Sequence, residues 1–258
     1  MRPLYAYDMN SIDDHTTESG LAVHTNKQFD LDLEQIRSQF LQMGGLVESM
    51  IQDSIDALST GSLQLADQVR EREREVNSLE VAIDQDIVRV MARQQPTAID
   101  LRMLLSVSKM LTDMERSGDE ADKVAKMARR LHEGSQPLLH IVELRHIALA
   151  VKAMLHQALD AFARLDPILA AQVVSSDKEV DKEWKGALRN LITYMIEDPR
   201  TISRAIDLVF IARALERIGD HAKNMAERVI YMVHGEDVRH TGVKNTVRTA
   251  HGEAETDE

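Results

Sequence analysis

The chain of 258 residues contains no cysteine. That absence excludes a disulfide framework, a cysteine zinc site, an iron–sulfur centre and a thiol nucleophile. Glycine and proline are scarce, at 11 and 5 residues, and aromatics make up only 3% of the chain. A β-sandwich needs more turns and more aromatic or β-branched residues than this. No apolar run approaches the roughly 18 residues that cross a bilayer. The stretch Met1–Asp8 lacks the apolar core of a signal peptide, so a cytoplasmic protein is expected. Basic residues are also in deficit: 31 Lys and Arg stand against 43 Asp and Glu, a formal charge of −12. An acidic balance of that size disfavours nucleic acid as the main ligand and a polybasic membrane-binding face.

What remains favours helix: Leu, Ala, Glu and Arg in quantity, with 13 methionines. Five breaks punctuate the chain at residues 59–62, 94–97, 132–137, 165–167 and 197–200. In Asp166-Pro167 and Asp198-Pro199 an acid suited to a helix N-cap precedes a proline suited to the first turn. Five breaks predict six long helices. Apolar stripes at helical spacing support them, for example Leu104, Leu111, Met114, Ala121 and Val124, and Ile211, Leu215, Ile218, Ala222 and Met225. Helices this long predict antiparallel bundles.

The chain also repeats itself. Ile55-Asp56-Ala57-Leu58 matches Leu159-Asp160-Ala161-Phe162, and Leu65-Ala66-Asp67-Gln68-Val69 matches Leu169-Ala170-Ala171-Gln172-Val173, both displaced by 104 residues. Glu115-Arg116-Ser117-Gly118-Asp119 returns as Glu216-Arg217-Ile218-Gly219-Asp220, displaced by 101. A tandem duplication of a three-helix unit follows. The expected class is all-α, two tandem pseudo-symmetric three-helix bundles. Their expected bounds are 26–134 and 135–235, between a flexible N-terminal tail, 1–25, and a flexible acidic C-terminal tail, 236–258.

Residues four apart on a helix share a face. Glu115 with Asp119 and Glu216 with Asp220 therefore form paired carboxylates, as do Asp177 with Asp181 in the preceding helix of the second half. The first-half counterpart is Glu73 with Asn77, and Glu80 with Asp84 offers an alternative pair. Like charges at this spacing repel by a few tenths of a kcal/mol unless neutralised. Oxygen-only ligands suit Mg²⁺, Mn²⁺, Ca²⁺ or iron. Gly118 and Gly219 each cost about 1 kcal/mol of helix propensity, which close helix approach beside the acids would justify. A single acidic pair is usually a solvated face, and Arg116 and Arg217 offer to pair with the acids. Four pairs in equivalent places favour a cation site.

Other motifs carry less. Glu143-x-x-His146 has the spacing of di-iron bundles, which require a second copy that this sequence lacks. His140, His156 and His221 read as core or surface residues, Trp184 as packed against a neighbouring helix, and the methionines as core or dimer-interface filler. Arg70, Arg72, Arg74, Arg129 and Arg130 read as solvated faces. Asp100, Arg102 and Arg200 follow Pro96 and Pro199 at equivalent hairpin tips, where charged residues either dock a partner or aid solubility. No catalytic constellation emerges.

At these residues the sequence resembles the PhoU family of bacterial phosphate-signalling regulators. The carrying segments include Met43-Gly44-Gly45, Arg93-Gln94-Gln95-Pro96-Thr97-Ala98, Glu115-Arg116-Ser117-Gly118-Asp119, Asp198-Pro199-Arg200-Thr201-Ile202, Glu216-Arg217-Ile218-Gly219-Asp220 and Gly235-Glu236-Asp237-Val238-Arg239-His240. The resemblance spans about residues 28 to 241. It implies two pseudo-symmetric bundles, a homodimer, no enzymatic activity, and binding of magnesium, manganese, zinc or iron through Glu/Asp-x-x-x-Asp motifs. Asn77 departs from that motif. It further implies negative regulation of the phosphate-starvation response and restraint of phosphate uptake. The expected partners are the ATPase subunit of the phosphate ABC transporter and a sensor histidine kinase, PhoR. Membrane association would run through those partners alone. The alternative is a metal-storage or di-metal oxidase bundle.

Overall fold

A computed structural model of the protein describes residues 27–133 and 141–252. The segment expected as an N-terminal tail lies outside the described residues, as does most of the third expected break. Six long helices form: α1 (Lys27–Thr60), α2 (Leu63–Gln94), α3 (Ala98–His132), α4 (Ile141–Arg164), α5 (Pro167–Glu197) and α6 (Ile202–His234). A short helix, α7 (Val243–Ala250), follows. No strand occurs among the described residues.

The expected punctuation acts through identifiable caps. Ser62 accepts a hydrogen bond from the Leu65 amide, and Asp166 accepts from the amides of Ile168 and Leu169, ahead of Pro167. These side chains satisfy amides that a helix start otherwise leaves bare. Asp198 caps a single 3₁₀ turn, Pro199–Thr201, before α6 begins. Helix α6 ends at Gly235, whose φ of +79° suits glycine and whose amide donates to the Tyr231 carbonyl.

Helices α1, α2 and α3 pack together as one bundle, and α4, α5 and α6 as the second. The predicted stripes are buried: Leu104, Leu111, Met114, Ala121 and Val124 face inward on α3, and Ile211, Leu215, Ile218, Ala222 and Met225 on α6. The two bundles join through α1 against α4 and α3 against α6, so their interiors form one continuous core. Phe40 meets Phe162 edge to face across the first seam, with ring centroids 5.0 Å apart. Across the second, Arg217 bonds Glu120 at 2.8 Å, His221 Nδ1 lies 2.9 Å from Asp113, and Arg130 pairs with Asp207. The partner numbers run in opposite order, so α3 and α6 are antiparallel.

The C-terminal tail expected from residue 236 is corrected in part. Val238 is buried, and α7 packs against α5 and α6. The tail looks polar on average, but Val243, Val247 and Ala250 recur at helical spacing and pack on the core. The hydroxyl of the buried Thr246 is satisfied by the Gly242 carbonyl at 3.1 Å. Residues 253–258 lie outside the described residues.

Candidate functional site

In the first half the structure brings the acids of α2 to those of α3. Burial raises the pKa of Glu115, and Asp119, Glu80 and Glu73 raise it further, while Arg116 opposes them. Glu80 is likewise raised by burial, then by Asp84 and Asp119. These mutual effects define one group: Glu73, Glu80, Asp84, Glu115 and Asp119. None of the five makes an ion pair with a basic side chain among the described residues. Asn77 turns its amide to Glu73, donating to Oε1 at 2.7 Å, and leaves its own carbonyl oxygen buried without a partner. Glu80, one turn further along α2, supplies the charge that Asn77 lacks. A Cβ built at Gly118 would stand 3.3 Å from Val76 on α2, so the two helices approach closely between the acids.

The second half repeats the arrangement with different neutralisation. Glu216 is 7% exposed, and one of its carboxylate oxygens, Oε2, is buried without a partner. Its pKa is raised first by burial, then by Asp220, with Asp181 and Asp177 adding to the effect and Arg213 opposing it. Burial and Asp177 raise that of Asp220. Here cations of the chain itself intervene. Lys223 Nζ donates to Asp177 at 2.7 Å, Lys185 reaches Asp181 at 3.4 Å, and Arg213 pairs with Glu216. Arg213 also lies over the ring of Trp184, 5.7 Å from its centroid. By the repeat, Trp184 stands where the first half has Glu80, Arg213 where it has Thr112, and Lys223 where it has Asp122. Gly219 is less constrained than Gly118: a Cβ there would meet Val151 and Val180 at 3.4 and 3.5 Å, ordinary contact distances.

The donor chemistry of both groups fits a hard cation, with carboxylates from two helices and buried oxygens lacking partners. As the side chains stand, no three acidic or imidazole groups converge on one point among the described residues. Arg217, read as a possible partner of the acids, instead reaches across the seam to Glu120.

The hairpin-tip residues are not brought together. Because α3 and α6 are antiparallel, Arg200 lies at the opposite end of the molecule from Asp100 and Arg102, about 50 Å away at 1.5 Å per residue. Asp100 is buried, against the expectation of an exposed tip. The guanidinium of Arg102 lies close against Gly235. Arg200 is exposed and held by Asp198. His146 is exposed on α4, and no described cluster gathers around the Glu143-x-x-His146 motif. Sequence reasoning missed the neutralising side chains Arg213 and Lys223. Lys223 lies three residues beyond Asp220 on one helical face, a signal too common to single out.

Comparison with known proteins gives this architecture its place. The PhoU domain model matches twice, over residues 40–128 and 144–229, one match per bundle. The phosphate-specific transport system accessory protein PhoU homolog of Pseudomonas putida is 48% identical over 240 residues, covering 93% of this chain and 94% of that protein. The phosphate-specific transport system accessory protein PhoU of Escherichia coli is 44% identical over 220 residues, covering 85% and 90%. The crystal structure of PhoU from Pseudomonas aeruginosa superposes with a TM-score of 0.79 at 51% identity, covering 81% of this chain and all of that one. The phosphate transport regulatory protein PhoU from Streptococcus pneumoniae gives 0.76 at 26% identity, covering 82% and 99%. No described helix is long and apolar enough to cross a membrane. Duplicated bundles, duplicated acid motifs and a doubled domain match agree: the chain belongs to the PhoU family of phosphate-transport accessory proteins, a regulatory rather than catalytic family.

Proposed function

We propose that this protein is a cytoplasmic, non-catalytic adaptor that represses the phosphate-starvation response and restrains phosphate uptake. It links the ATPase subunit of the phosphate ABC transporter to the sensor histidine kinase PhoR, and it works as a homodimer. The transport role is supported by the accessory-protein names of its relatives.

The observation that carries the cation part of this reading is the gathering of carboxylates on equivalent helical turns of both halves, beside buried oxygens of Asn77 and Glu216 that lack partners. Glu115, Asp119, Glu80 and Glu73 would hold one Mg²⁺, Mn²⁺, Zn²⁺ or iron ion. Asp177, Asp181, Glu216 and Asp220 would hold another. A bound cation would neutralise the acids and tie α2 to α3, or α5 to α6.

The test is deletion of the gene, followed by assay of a phosphate-repressible alkaline phosphatase in cells grown with ample phosphate. Constitutive activity, restored to repression by the wild-type gene, is expected. Normal repression in the deletion strain would sink the regulatory reading.

A further inference from the structure

A cavity of about 600 Å³ opens where α3, α5 and α6 meet the segment that leads into α7. Arg228 lines it. This arginine is only 9% exposed, yet it makes no hydrogen bond or ion pair among the described residues. No guanidinium nitrogen is sealed from solvent, so its five donors open on the cavity without an acceptor from the chain. Its charge is felt by Glu227 and Asp237, but the carboxylate of Asp237 is occupied by Arg239. The start of α7 opens on the same cavity. Gly242 precedes that helix and brings no side chain to cap it, so its first amides lack the usual acceptor. Lys223 and Arg239, paired with Asp177 and Asp237, line the cavity as well, with His240.

We infer that this cavity is a binding site for inorganic phosphate, taken as hydrogen phosphate. The unpaired guanidinium and the uncapped start of α7 present donors to the same cavity for oxyanion oxygens. Asp113 and Glu227 also line the cavity; Asp113 is engaged by His221 and Asn224, so Glu227 sets the selectivity. Hydrogen phosphate keeps one P–O–H group that donates to a carboxylate. Sulfate has only acceptors and meets the carboxylates with repulsion. The inference stands on this cavity alone and requires no metal at the carboxylate groups.

Calorimetric titration of the full-length protein tests it, in sulfate-free buffer at about pH 8 with a chelator present. There inorganic phosphate retains a proton that a phosphate monoester, with its second pKa near 6, has lost. One saturable phosphate site per chain is expected, with neither sulfate nor glycerol phosphate competing. Arg228→Met should weaken phosphate at least about tenfold, the scale of a lost charge-assisted hydrogen bond. Glu227→Gln should admit sulfate as a competitor. Absence of saturable phosphate binding, equal binding of sulfate, or unchanged binding in a natively helical Arg228→Met would each overturn the inference. So would binding that appears only on adding Mg²⁺, since the anion would then sit on a cation. Should Arg228→Met fail to fold, Glu227→Gln decides: an unchanged preference for phosphate over sulfate overturns the proposal.

Discussion

Lys223 is a built-in competitor for any cation at the second carboxylate group, and its removal has a calculable effect. Its ammonium lies 2.7 Å from Asp177 Oδ2. A divalent ion on that oxygen, at the usual 2.0–2.6 Å, would stand about 5 Å from the ammonium. At an effective dielectric near that of water, a charge of two and a charge of one repel at this distance by about 1.7 kcal/mol. That corresponds to roughly fifteenfold in affinity. Lys223→Met keeps the aliphatic stem and deletes the charge, so it should tighten Mn²⁺ at the second group by about that factor. The assay is Mn²⁺ titration followed by electron paramagnetic resonance, in phosphate-free buffer at low ionic strength. Added salt should erode the difference, because the pair is partly exposed and screened. The first group has Asp122 in the equivalent position and should be unaffected. Unchanged affinity at low salt would show that no cation binds beside Asp177.

Other expectations follow from the same geometry. Glu216→Ala with Asp220→Ala should remove about one tightly bound divalent ion per chain while leaving helicity intact; unchanged stoichiometry would reduce these acids to a solvated face. Gly219→Ala should stabilise the protein by about 0.5–1 kcal/mol, raising the calorimetric Tm by roughly 1–4 °C, because alanine gains helix propensity and a Cβ meets only ordinary contacts. Gly118→Ala should gain nothing, because the buried Val76 must move to admit the Cβ. Glu80, Glu115, Glu216 and Asp220 all have raised pKa values in the folded protein, so the folded state binds protons more tightly than the unfolded one. In chelator, their contribution to stability is therefore complete below the ordinary carboxylate range and lost as pH rises through the raised values. Denaturant titrations should show that loss in the metal-free protein and a flatter profile with saturating Mg²⁺.

The helices were legible because their punctuation is local. Ser62 and Asp166 cap the amides that their positions in the sequence predict. Helix α7 escaped notice because three apolar residues in an otherwise polar segment are outweighed in any average, although their spacing is helical. The acid pairs were legible because residues four apart on a helix are neighbours whatever surrounds them. Which pairs face each other was not, since that depends on how α2 rotates against α3. Glu80 joins Glu115 for that reason, while its repeat counterpart Trp184 packs under Arg213. The hairpin tips misled because a repeat preserves sequence position while the antiparallel seam reverses direction. The hairpins that carry Asp100 and Arg200 are equivalent in sequence and lie at opposite ends.

The duplication is also broken at the seam, and the break ties the carboxylate groups to the joint between bundles. Glu120 follows Asp119, and Arg217 follows Glu216, so the seam pair shares helical turns with both groups. The repeat counterpart of Glu120 is His221, which cannot serve Arg116 as Glu120 serves Arg217, and it turns to Asp113 instead. Helices α2, α3, α6 and α5 thus form a continuous series, with carboxylates at each outer joint and Arg217–Glu120 at the middle one. A cation that stiffens α5 against α6 should be felt in α3 through that middle joint. Glu120→Gln keeps the shape of the buried side chain and removes its charge, at a cost of about 1–3 kcal/mol. Hydrogen exchange of α3 amides should slow on Mn²⁺ binding to the second group in a chain whose first group is disabled by Glu115→Ala. With Glu120→Gln added, that slowing should disappear while Mn²⁺ affinity at the second group is retained. Equal slowing with and without Glu120 would mean that the bundles communicate through the apolar core between α1 and α4, and not through the seam.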